Sequence, residues 1–178
     1  KFYERNKYQY LKRPNTIEDL KSLALFWESV SDQDRTRFSD NVLKKLFILN
    51  YAPNGMWQHI TSVYFLQYKT DDGLLSDAEF GKFLDKITAF IFVYAITNPG
   101  VNALRTPVYD EMVNIVNGGE VKFSKYKFNN TQARTSFENY VFTNQKNATR
   151  SIITWYAYTF SEQALLGLNE SFHLEHIY

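Results

Sequence analysis

Apolar residues recur at three- and four-residue spacing along most of this chain, the period of a helix with one buried face. Thr16 with Asp19 reads as a cap, followed by Leu20, Leu23, Ala24 and Trp27 on one stripe. Ser39 reads as the cap of a second run to about Asn50, with Val42, Leu43, Leu46, Phe47 and Leu49 at helical spacing. Pro53 suits the first turn of a third run, which continues to about Tyr68. Ser76 and Glu79 form a capping-box pattern before a long helix to about Thr97, which "NPG" closes. Thr106 with Pro107 starts a fifth helix, and Gly118 with Gly119 stops it. Asn130 is placed to cap "TQARTSFENYVF", and a last helix is predicted over about 147–160.

The period changes to two only at residues 121–127 and 171–178, where a short strand is predicted. The fold expected is therefore all-α, an array of about seven helices with at most a short β element at those two places. The apolar run Ile87 to Ile96 is about half of the ~20 residues a membrane crossing needs, so a buried core helix is expected and no membrane partner. The chain has 178 residues, of which 44% are hydrophobic and 22% charged, a balance that suits one ordinary globular unit.

Fifteen Phe, 13 Tyr and 3 Trp make the chain rich in rings. They read as a core of large side chains, with a base-stacking surface as the alternative. Cysteine is absent, which removes disulfides and thiolate metal sites and fits a reducing cytoplasm. The three Asn-X-Ser/Thr sequons, at Asn129, Asn147 and Asn169, read as chance. Net charge is only +1, but the charges are blocked out. Residues 71–85 hold five acids against Lys82, whereas Lys122, Lys125, Lys127, Arg134, Lys146 and Arg150 face only Glu138 in residues 121–150. The basic block is either a solvated face or a surface for nucleic-acid phosphates.

The chemistry of glycine-rich phosphate loops, nucleophile elbows and His-Glu-x-x-His metal helices is missing. Glu18-Asp19, Asp71-Asp72 and Asp110-Glu111 read as helix-start or loop acids rather than an acid–base pair. His59 is expected as a satisfied, partly buried histidine inside a helix. The other two histidines lie in the closing "SFHLEHIY". In a strand there, His173, Glu175 and Ile177 share one face, and Phe172, Leu174, His176 and Tyr178 the other. Apolar neighbours would keep the His176 imidazole neutral and able to take a proton. A histidine merely packed on a strand is the simpler alternative.

"HLEHIY" resembles the opening of the nuclease motif in bacterial restriction and phage-defence proteins of the GmrSD type. There Glu175-His176-Ile177 would begin an HNH, or ββα-metal, fold. "NATRSIITWYAYTF" is similar to the helix that leads into that motif, and the segment from Ile87 to Gly119 to the family's central helices. The central segment departs from the family where Val93 and Tyr94 stand in place of basic residues.

The resemblance implies a layout of an N-terminal ParB- or sulfiredoxin-like nucleotide-binding domain, a helical middle, and a C-terminal HNH nuclease. Residues 1–168 would be the helical middle, and residues 169–178 the start of the nuclease, in a piece of a longer protein. His176 would be the general base that activates water against DNA, and Glu175 would hold a divalent metal such as Mg²⁺. Adjacent strand residues face opposite ways, so both reach one phosphate only at a strand end or bulge. The expectation is a cytoplasmic module that positions the nuclease, partners the two flanking domains and DNA, and does not cleave by itself. It carries no tightly held cofactor of its own. The alternative is a non-catalytic helical interaction domain. A metal site built from His59, His173 and His176 is a remote third.

Overall fold

A computed structural model describes residues 12–98, 100, 102–143 and 147–170. Among them are seven helices: α1 (Thr16–Ser31), α2 (Asp40–Asn50), α3 (Met56–Tyr68), α4 (Asp77–Thr97), α5 (Arg105–Val116), α6 (Asn130–Glu138) and α7 (Asn147–Ala157). There is no strand among the described residues, and the fold is all-α as the spacing predicts. Helix α3 packs on α1 and α5, α2 packs on α4 and α7, and α6 packs on α4.

Helix α2 begins where its cap predicts, because the Ser39 side chain accepts a hydrogen bond from the Val42 N–H at 3.3 Å. Ser76 stands at the N-cap of α4, as the pattern predicts, but its side chain makes no capping bond. The carboxylate of Asp77 instead accepts from Ser39 N–H (3.0 Å) and Oγ (2.7 Å), so the first residue of α4 is tied to the start of α2. Helix α6 is capped one residue earlier than expected, by Asn129, which accepts from Gln132 N–H at 3.2 Å. Gly118 adopts φ +76° after α5, a backbone position that favours glycine.

The stripe of α1 is rotated from its predicted position. Phe26, Ser29 and Val30 are buried, whereas Leu20 and Ala24 face solvent. The Phe26 ring decides this, because it stacks on Phe65 of α3 (centroids 4.4 Å, 25°) and meets the edges of Phe38 and Phe80. Burying a ring of that size is worth about 1.5–3 kcal/mol, more than a leucine left on the rim. The run Ile87–Ile96 lies in α4, with Ile87, Phe90, Ile91 and Phe92 in the core. Among the described residues no helix is long and apolar enough to cross a membrane.

The strand expected at 121–127 does not form. Val121 and Phe123 are buried and Tyr126 and Phe128 half-buried, so the alternation is real, but its register shifts at a turn over Ser124–Lys125. Phe123 sits at φ +48°, and Tyr126 N–H bonds back to Phe123 C=O at 2.9 Å. The amides of Lys122 and Phe123 are taken by a side chain rather than a neighbouring strand. The second predicted strand, 171–178, lies outside the described residues.

Candidate functional site

The basic segment is shaped by Glu111, which is buried at 7% exposure in α5. Its Oε1 accepts from Phe123 N–H at 2.8 Å. Its Oε2 accepts from Lys122 N–H and from Asn114 Nδ2, both at 3.2 Å. Asn114 Nδ2 also reaches the Glu120 carbonyl at 2.7 Å. A buried carboxylate is tolerable only with such donors around it. Asp110 and Glu111 were expected near a helix start. They lie inside α5 instead, and Glu111 is the anchor of residues 120–123. A lone acid among apolar positions of a helix was the available signal, obscured by the acid beside it.

With its backbone held, the segment stacks its rings on α4. Phe123 lies face to face with Phe90 (3.7 Å, 4°), and Tyr126 and Phe128 close around Phe90 and Tyr94. Tyr126 OH donates to Asp110 Oδ2 at 3.2 Å, and burial together with that carboxylate pushes its pKa up. Between α4 and the segment runs a groove of about 550 Å³, walled by Phe90, Val93, Tyr126 and Phe128. Its rim carries Lys86, Lys122 and Glu120. The adjoining cleft adds Lys125 and Lys127.

The cations named from sequence are placed as follows. Lys122 pairs with Glu120 (3.3 Å), Lys125 with Asp110 (3.2 Å), and Arg134 with Glu138 one turn along α6 (2.8 Å). Lys86 pairs with Glu120 as well, and the two lysines hold that carboxyl below its ordinary pKa. Lys127 is exposed and makes no ion pair with a described residue. Arg150 of α7 is half-buried over the Tyr51 ring. Lys146 lies outside the described residues. The structure thus brings Lys122, Lys125 and Lys127 together on one segment and puts Arg134 and Arg150 on separate helices. His59 faces solvent on α3, a correction to its expected partial burial, since Trp57 and Ile60 take the inward positions.

A second cluster holds the approach to the tail. Gln33, at φ +51° between α1 and α2, donates from Nε2 to Leu166 C=O (2.9 Å) and accepts at Oε1 from Leu168 N–H (3.1 Å). Tyr158 OH accepts from Leu166 N–H at 3.1 Å. Leu168 lies in a small recess with Trp27, Leu46 and Trp57. Residues 166–168 are therefore fixed to the α1–α2 junction. His173, Glu175 and His176 lie outside the described residues. Among the described residues no three His, Cys, Asp or Glu side chains gather as a metal site.

Compared with protein-family models, with curated proteins and with solved structures, the chain matches none.

Proposed function

We propose that this chain is the helical module of a DNA-cleaving restriction or phage-defence protein of the GmrSD type, and that it mounts the first strand of an HNH nuclease. The observation that carries this reading is the fixing of residues 166–168 by both ends of the Gln33 carboxamide, three residues before "SFHLEHIY". A nuclease strand entered from a tethered segment starts from a defined place on the helical body, which is what positioning chemistry requires. In this reading His176 takes the proton of the attacking water. Glu175 offers a carboxylate, an oxygen donor that suits a hard divalent cation such as Mg²⁺. Such a cation would stabilise charge developing on the phosphate.

The coding sequence beyond Tyr178 tests the proposal. A proline followed by a helix bearing His or Asn is expected there, and a stop codon overturns it. The product of the whole gene is expected to nick plasmid with Mg²⁺ and to lose that activity as His176→Ala, whereas the 178-residue chain is expected not to nick.

A second reading, a non-catalytic helical interaction domain, is favoured by one observation. Lys122, Lys125 and Arg134 are each matched by a carboxylate, which reduces the charge left for phosphates. DNA binding measured against salt separates the two readings. Affinity that falls steeply with salt supports phosphate contacts, and no affinity even at low salt makes this segment a solvated face.

A further inference from the structure

We propose that this chain associates head to tail with a second copy of itself, the acidic loop 70–75 of one copy seating Leu74 in the Phe90–Val93–Tyr126–Phe128 groove of the next. The inference does not rest on the nuclease reading.

The loop is a rigid projection rather than a slack connection. Thr70 N–H bonds to Leu74 C=O (2.9 Å), Leu74 N–H bonds to Thr70 Oγ1 (3.1 Å), and Gly73 supplies φ +72° at the bend. Arg37 Nη2 holds the Gly73 carbonyl from the α1–α2 side. This architecture presents Leu74, 41% exposed, between Asp71, Asp72 and Asp77. Asp71 and Asp72 are exposed and make no ion pair with a described residue. A leucine held out by its own loop loses little freedom on docking.

The groove has the complementary character. Its walls are apolar, and its volume of about 550 Å³ admits a leucine with room for its neighbours. On its rim Lys86 and Lys122 share the single carboxylate of Glu120, and Lys127 stands in the adjoining cleft, so the balance of charge there is positive. The half-buried Tyr126 and Phe128 meet Phe90 and Tyr94 edge-on or tilted rather than face to face. Rings so engaged with one another wall an apolar cleft that suits an inserted side chain. Acidic loop meets basic rim, so encounter is steered electrostatically.

The two surfaces cannot meet within one molecule. The loop precedes Asp77 at the start of α4, and Phe90 lies thirteen residues further along the same helix, about 20 Å at 1.5 Å per residue. A contact between different surfaces of identical chains is heterologous, so it grows by addition until the rotation closes a ring. One leucine and a few charges place it among the weak, transient interfaces.

Sedimentation of the 178-residue chain across a concentration series at low salt tests this. Mass above that of a monomer is expected at high concentration, returning to monomer as salt rises. Leu74→Asp alone and Val93→Asp alone are each expected to stay monomeric. An equimolar mixture of the two is expected to form a dimer, since one copy keeps the groove and the other the loop. The charge-reversed pair K122E/K127E and D71K/D72K repeats the test without touching the apolar walls, and the circular dichroism of each variant confirms its fold. A wild-type chain that is monomeric throughout overturns the proposal. So does association that survives in either single variant, or folded variants whose mixtures do not dimerise.

Discussion

Rings from α3, α4 and the α1–α2 turn lie within about 6 Å of Phe26 in α1, with Phe38, Phe65 and Phe80 all buried. From residue 120 onward the arrangement changes. Helix α6 has no buried residue, and α7 buries hydroxyls, Thr149, Ser151 and Thr154, against its neighbours. Ser151 Oγ donates to the Ile48 carbonyl at 3.0 Å, which joins α7 to α2. Glu111 and Gln33 hold the two non-helical stretches of this region. One region resists through area, which degrades gradually. The other adds to the rings it lays on α4 a few directed bonds, each replaceable only by a group of the same chemistry.

The contrast can be broken by substitution. Phe26→Ala removes the hub of the ring cluster and should cost about 3–5 kcal/mol, seen as a large drop in the denaturant midpoint. Since whole domains are stable by only about 5–15 kcal/mol, partial unfolding at room temperature is the expected phenotype. Glu111→Ala should cost about 2–3 kcal/mol, because charge-assisted bonds to two backbone amides vanish together. Amide exchange at Lys122 and Phe123 should accelerate far more than in α2 or α3. A cost near that of a surface substitution would show that ring stacking holds this segment after all.

Gln33→Gly sharpens the comparison most finely. It loses two hydrogen bonds of about 1 kcal/mol each but relieves a left-handed backbone costing about 1–2 kcal/mol. Global stability should change by about 1 kcal/mol or less, while Leu168 amide protection is lost. Equal protection in the variant would mean that the Leu168 recess alone fixes the segment.

The helices were legible because their stop and start signals are local. Ser39 at the head of α2 and Gly118 beyond α5 are cases in which one residue's own backbone chemistry decides the boundary. The rotation of α1 was not legible. Leu20 and Phe26 both fit an amphipathic stripe, and the choice depended on the position of Phe65, 39 residues further along the chain. The predicted strand at 121–127 failed for a similar reason. Its period-two pattern is genuine, yet a ladder needs partner amides, and Glu111 had already taken those of Lys122 and Phe123. The lysines of the basic block were found by counting, but Glu120, which pairs with Lys122, stands just before the counted block, and the pairing of Lys125 with Asp110 depends on what α5 brings alongside.

The Gln33 contact spans 133 and 135 residues of sequence. Closing so long a loop carries a large entropic cost before any bond repays it. The amide is therefore expected to engage after the ring cluster has formed, on the native side of the folding barrier. Interactions made that late slow unfolding and leave the folding rate nearly untouched. Gln33 thus sets how long residues 166–168 stay docked once the protein is folded, and does little to decide how quickly the chain gets there.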